Sequence, residues 1–282
     1  MKLKSAVVCC GFQKCATTSF WSHLVSSDSY SFFSVKERDY FLFEKDTSIK
    51  SIVADTFFQY RTKTFLDVSP QYACKKAAEN IFNAGFENVK AVFICRNPID
   101  RITSQMQQNI RRGSTLALEL DRLTSELLDL TDKYKSSINV PIVNDIDYKR
   151  INNSLVRNSC YTGVVTYYRN LFGESNVKVY DMEDILSGNI SVYRDLGVNA
   201  AEPGFPQKNT GGVSRFRLLD VISKMGPIKR FVRLVVGKRY YNIIWWWVKT
   251  ELLIDGNQKI EVRLPKATLK SLQLFFDKEI SS

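Results

Sequence analysis

The sequence predicts an α/β fold in a single domain, a parallel sheet with helices on its faces. Three observations carry that expectation. A short apolar run over residues 6–10 has the length and composition of a buried parallel strand. Gly11 ends it ahead of a hydroxyl cluster, Thr17, Thr18 and Ser19, which opens a helical pattern. A second apolar run, 90–95, precedes Pro98, a residue suited to the first turn of a helix. Short apolar runs then alternate with helical periods, as in strands covered by helices.

Taken in order, residues 6–10 form the first strand and the first helix starts near Thr17. Residues 30–35 read as a short aromatic strand leading into Lys36 and Glu37. Residues 65–68 read as another, ended by Ser69-Pro70, and 71–82 as an amphipathic helix closed by Gly85. After the 90–95 strand and its helix, residues 115–134 are helical by period. Leucines 116, 120, 123, 127 and 130 make that helix a packed one. The polar stretch 136–153 reads as a loop over the site, 161–172 as a helix, 177–180 as a strand and 182–186 as a helix start. Two prolines and three glycines make 203–212 a loop, and the last helix spans 265–278. No repeat, low-complexity tract or linker divides the chain, so one domain over 1–282 is expected.

Composition narrows the function classes. With 282 residues and 44% hydrophobic content, the chain can bury a substantial core, and disorder is not expected. Forty Lys and Arg against 29 Asp and Glu leave +11, which favours anionic partners. No nucleic-acid-binding motif accompanies the charge, so nucleic acid is not expected. The six cysteines show no repeated CxxC and no histidine pairing, and His23 is the single histidine, so no metal is expected. No secretory signal or spanning helix opens the chain, which gives a cytoplasmic expectation. Residues 226–253 combine Lys229, Arg230, Arg233, Lys238 and Arg239 with Trp245, Trp246 and Trp247. That mixture suits a peripheral membrane contact, packing into the body, or an acceptor groove.

Strand, glycine turn, lysine, hydroxyls, helix is the layout of a phosphate cradle, and it makes the expected sheet P-loop-like. Loop N–H groups and the helix dipole face an anion, and Lys14 adds a point charge. A Walker A loop is absent, because Lys14 lies three residues after Gly11 and three before Thr17. An ordinary strand–helix turn with capping hydroxyls has the same pattern. Arg96 follows a buried strand, where its guanidinium needs either a phosphate or a structural carboxylate; Arg101 can serve either role. Ser104 follows Arg96 by eight residues, about two helical turns. Glu37 is a carboxylate that can act as base, and burial would raise its pKa while Lys36 and Arg38 oppose the rise. His23 falls inside the first helix, away from these motifs.

Four motifs in order resemble those of sulfotransferases that use 3'-phosphoadenosine 5'-phosphosulfate. Gly11-Phe-Gln-Lys14-Cys15-Ala16-Thr17-Thr18-Ser19 is similar to the GxxKxGTTxL loop, and Lys36-Glu37-Arg38-Asp39-Tyr40-Phe41 to the KExHFF element of the carbohydrate, heparan sulfate-like branch and its bacterial relatives. Asp67-Val68-Ser69-Pro70-Gln71-Tyr72 is similar to EKTPSY, and Arg96 to Ser104 to RxPxxRxxS. Weaker similarity runs through Arg157 to Tyr161, Glu183-Asp184 and the C-terminal LxxLxxFF helix, and Lys208, Asn209 and Gly211 fall at a nucleotide-closing loop. The resemblance implies Lys14 at the bridging oxygen of the donor, with Cys15, Ala16, Thr17, Thr18 and Ser19 completing the 5'-phosphate cradle. It implies Arg96 and Ser104 on the 3'-phosphate, Glu37 as general base, a hydroxyl acceptor on a carbohydrate or glycoconjugate, and no metal. Asp39 stands in place of the motif's histidine and Val68 in place of its lysine, which puts heparan-like specificity in doubt. The alternatives are a P-loop kinase-like phosphotransferase and a non-catalytic basic scaffold that kept the fold.

Overall fold

The computed structural model describes residues 3–136, 154–197 and 262–281. The chain divides into two units, Met1–Lys208 with Val262–Ser282, and Asn209–Glu261; the second falls wholly outside the described residues. The expectations for 203–212, 226–253, Lys208, Asn209 and Gly211 therefore lie outside the description. So does nearly all of the 136–153 loop.

The first unit is built on a six-stranded sheet, order β3-β2-β4-β1-β5-β6. Its strands are β1 (Ser5–Gly11), β2 (Ser31–Phe33), β3 (Phe58–Gln59), β4 (Thr64–Val68), β5 (Asn88–Cys95) and β6 (Val177–Asp181). All neighbours are parallel except β3, which pairs antiparallel with β2 at the edge. β1 is central, with Ser5 opposite Thr64 of β4 and Asn88 of β5. Ala6 to Gly11 are all buried, as a strand covered on both faces requires. Gly11 ends the run where space is short: a Cβ there would lie 3.3 Å from the Phe93 ring and 3.5 Å from Ala73.

The helices follow the strands. α1 (Thr17–Ser26) leaves β1, α2 (Tyr40–Phe43) and α3 (Ile49–Ala54) follow β2, and α4 (Lys75–Asn83) follows β4. α5 (Pro98–Arg111) leaves β5, its N-terminus capped by the Asn97 side chain, which accepts from the N–H groups of Ile99 and Asp100. α6 (Leu116–Ser136), α7 (Thr162–Phe172), α8 (Met182–Ser187), α9 (Ile190–Asp195) and α10 (Lys266–Ser281) complete the described helices. One core joins both faces of the sheet. Phe33, Phe41, Phe58, Phe65 and Phe86 form its aromatic part near β4, and Phe93 packs edge-on against Tyr168 of α7.

The α/β class, the parallel sheet and its flanking helices are as the sequence predicts. Boundaries differ where packing overrides local pattern. The 71–82 helix breaks into a 3-10 turn, Pro70–Tyr72, before α4 begins at Lys75, because Tyr72 turns inward to hydrogen-bond elsewhere. The edge strand β3, too short for a period, was not visible in the sequence. In α6 the stripe is narrower than the leucines suggest: Leu123, Leu127 and Leu130 are buried, whereas Leu116 is exposed.

Candidate active site

The four sequence motifs leave the sheet at the C-terminal ends of four adjacent parallel strands, β2, β4, β1 and β5. β1 delivers Lys14, β2 delivers Lys36 and Glu37, β4 delivers Asp67 to Tyr72, and β5 delivers Arg96. Ligands of open α/β sheets bind at that edge. Residues up to about ninety positions apart in sequence are gathered there by the strand order alone.

The loop between β1 and α1 is conformationally strained. Lys14 has φ 68° and Ala16 φ 57°, left-handed conformations that cost a non-glycine residue roughly 1–2 kcal/mol each. Ala16 stands where the motif GxxKxGTTxL has its glycine, which explains that motif's preference. Left-handed residues in such a loop turn successive N–H groups to one side, making an anion-binding concavity. Ala16 is the N-cap of α1, and no side chain caps the helix, so Thr17, Thr18 and Ser19 are not the caps that an ordinary turn would make of them. Thr17 and Ser19 are buried and Thr18 is half-buried. Cys15 is buried, and desolvation pushes its thiol up to about 11, so it is not a thiolate near neutrality.

Positive charge collects around Lys14. Burial first, and then the charges of Arg111, Arg112, Arg96 and Arg101, lower its pKa to about 8. Arg101 is fully buried and structural: its Nε donates to Ser159 Oγ at 2.5 Å and its Nη2 to the Leu155 carbonyl at 2.6 Å. These partners are a hydroxyl and a carbonyl rather than the carboxylate expected of a structural pair, and Nη1 is buried with no hydrogen-bond partner among the described residues. Arg96 and Ser104 are half-buried, and neither side chain has a hydrogen-bond or ion-pair partner among the described residues. Tyr161 ties the two halves together. Its ring lies 4.4 Å from Phe12, and its hydroxyl donates to the Arg96 carbonyl at 3.0 Å.

The loop after β2 is strained in the same way, with Glu37 at φ 56° and Asp39 at φ 50°. Four of the five non-glycine residues with positive φ among the described residues thus belong to the two motifs nearest the proposed chemistry. Lys36 is buried, with its side chain 5% exposed, and its ammonium contacts the Glu37 carboxylate, which is 44% exposed. The burial expected of the base falls instead on Asp39. Its carboxyl is held well above the usual carboxylate range by desolvation, and then by the charges of Glu37 and Asp67. Asp67 is also buried, and desolvation raises it to about 6 against the hydrogen bonds it receives. Ser69 Oγ donates to Asp67 Oδ1 at 3.1 Å and accepts the Asp39 N–H at 3.3 Å. Tyr72 OH donates to Asp67 Oδ2 at 2.6 Å and accepts the Phe41 N–H at 3.2 Å. Through two hydroxyls, one carboxyl therefore holds the backbone of the loop that carries Glu37.

Sequence reasoning missed this buried acid pair, Tyr161 as a bridge, and Arg111 and Arg112. The Ser69 and Tyr72 positions of the third motif were the available signal for the first. His23 packs against the Tyr193 ring, 4.7 Å between centroids, within α1. Among the described residues no group of acidic, cysteine and histidine side chains could hold a metal, and no helix is long and apolar enough to cross a membrane.

A central parallel strand, a strained lysine loop, a helix N-terminus and flanking arginines define a P-loop-like α/β fold with positive charge gathered at one edge. No family model matches the chain, and no curated protein matches it. Among solved structures it is similar to a sulfotransferase from Alicyclobacillus acidocaldarius, with TM-score 0.51 and 16% identity, covering 84% of this chain and 96% of that one. That likeness establishes the fold. The sulfotransferase domain from the curacin biosynthetic pathway also matches, at TM-score 0.41 and 11% identity, over 98% of each chain.

Proposed function

We propose that this chain is one sulfotransferase domain, over residues 1–282, acting in the cytoplasm. It moves a sulfuryl group from 3'-phosphoadenosine 5'-phosphosulfate to a hydroxyl of a carbohydrate or glycoconjugate. The observation that carries the reading is the convergence at one edge of the sheet of Lys14, Glu37 and Arg96, whose side chain has no partner among the described residues, with four of the five positive-φ non-glycine residues described lying in the loops that present the first two. The N–H groups of Cys15 to Ser19 hold the 5'-phosphate at the N-terminus of α1. Arg96 grips the 3'-phosphate with Ser104 beside it. Lys14 meets the bridging oxygen as charge develops there, and positioning and charge stabilisation supply most of the rate.

Glu37 takes the acceptor hydroxyl's proton. The acceptor oxygen forms a bond to sulfur while the sulfur–oxygen bond to the 5'-phosphate breaks, leaving a sulfate ester and adenosine 3',5'-bisphosphate. Asp39, kept towards its neutral form, can donate a hydrogen bond where the related motif has a histidine.

The test compares adenosine 3',5'-bisphosphate with AMP by thermal shift, followed by transfer of labelled sulfate to a panel of glycans. The bisphosphate should raise Tm well above AMP at equal concentration, and Arg96→Ala should abolish that difference. Equal shifts for the two nucleotides would sink the donor assignment. Binding without turnover on any acceptor would favour a scaffold.

A further inference from the structure

At the C-terminal end of α5, two arginines have no role in the reaction proposed above. Arg111 closes the helix and Arg112 is its C-cap. The corner that follows is fixed by Glu119, a fully buried carboxylate. It accepts from Asn109 Nδ2 at 2.8 Å, Ser114 Oγ at 2.7 Å and Arg122 Nη1 at 3.1 Å. Arg111 and Arg112 do not join this carboxylate, although it lies at their own helix end. Neither has an ion-pair partner among the described residues, and Arg111 Nε is shut off from solvent with no acceptor. A guanidinium N–H so placed loses its water without replacement, which is costly unless a ligand supplies an acceptor.

Their charge also reaches the site: after burial, the positive charges of Arg111, Arg112, Arg96 and Arg101 all lower the Lys14 pKa. α5 thus carries one pair of arginines about its N-terminal end and another at its C-terminal end, and Lys14 feels both. Ser104 and Arg111 are seven residues apart, on the same stripe of the helix and about 10 Å apart along its axis. That separation exceeds the width of a single phosphate. An in-line transfer puts the acceptor on the far side of the sulfur from the leaving phosphate.

We propose that Arg111 and Arg112 form a second anion subsite, distinct from the donor's phosphates, that reads a sulfate, phosphate or carboxylate group carried by the acceptor. The acceptor is then an anionic molecule, and the two arginines set specificity rather than chemistry. The assignment to an acceptor rests on the sulfotransferase reading; the anion subsite itself does not.

The experiment saturates the protein with adenosine 3',5'-bisphosphate and titrates inorganic sulfate against chloride at matched ionic strength, reading Tm. Sulfate should add a further stabilisation in the wild type. Arg111→Gln/Arg112→Gln should weaken sulfate at least tenfold and change the bisphosphate affinity less than twofold. Arg112→Glu, at an exposed position, should weaken sulfate in the same direction if the double variant folds poorly. The proposal is overturned if sulfate does no more than chloride, or if the loss falls on the bisphosphate. If the wild type does not bind the bisphosphate, the sulfotransferase reading falls separately. The sulfate titration on the free protein then decides the subsite by whether the arginine variants lose it.

Discussion

Replacing Asp67 with asparagine isolates one buried carboxyl and has a calculable consequence. In the folded protein burial raises this carboxyl from 3.8 to about 6. The folded state therefore keeps a proton that the unfolded chain releases. Stability from this group is fully present below about pH 4, falls as pH rises from 4 to 6, and is absent above. At about 1.36 kcal/mol per pH unit, the two-unit difference amounts to about 3 kcal/mol. Asparagine does not titrate, so the stability difference between wild type and Asp67→Asn should shrink by about that amount between pH 4 and 6.5. Asparagine also has one acceptor oxygen where Asp67 serves both Ser69 and Tyr72, so one hydroxyl is stranded at a cost of about 1–3 kcal/mol. The variant should be about 1–3 kcal/mol less stable than wild type near pH 4, and between equal to it and about 2 kcal/mol more stable near pH 7.5. Urea unfolding of both proteins across that range measures it, and using the difference cancels the titrating groups that do not interact with Asp67. A difference that stays flat with pH, or grows as pH rises, would refute the proposed desolvation of Asp67.

Two further substitutions test the strained loops. Ala16→Gly should leave Tm unchanged or raise it by about 1–4 °C, since relief of the left-handed conformation offsets glycine's entropy; Ala16→Val should lower stability by about 2 kcal/mol. Valine tolerated as well as glycine in thermal melts would contradict the backbone geometry. Glu37→Gln should cut sulfate transfer by roughly a hundredfold with bisphosphate affinity intact, while His23→Ala stays near wild type. The reverse pattern in steady-state kinetics would remove Glu37 as the base.

Much of the site is legible in the sequence because its parts are local. A buried parallel strand must be an apolar run, so residues 6–10 and 90–95 show themselves. A loop that must fold back on an anion needs its lysine and hydroxyls at fixed short spacing, so Lys14 to Ser19 are visible as a unit. Arg96 declares itself because a cation directly after a buried strand needs an anion. What local pattern cannot encode is which strands become neighbours and how deep each side chain ends up. The order β2-β4-β1-β5 brings Glu37, Asp67, Lys14 and Arg96 to one edge, and it depends on pairing between segments far apart in sequence. Burial is decided the same way. Glu37 and Asp39 lie two residues apart in one charged stretch, yet packing against Ser69 and Asp67 buries the second and leaves the first half exposed. Arg111 and Arg112 look like ordinary cations at a helix end. Only the fold, in which Glu119 is already satisfied by other groups, lets their charge act on Lys14, because electrostatic interaction follows distance in space and not position along the chain.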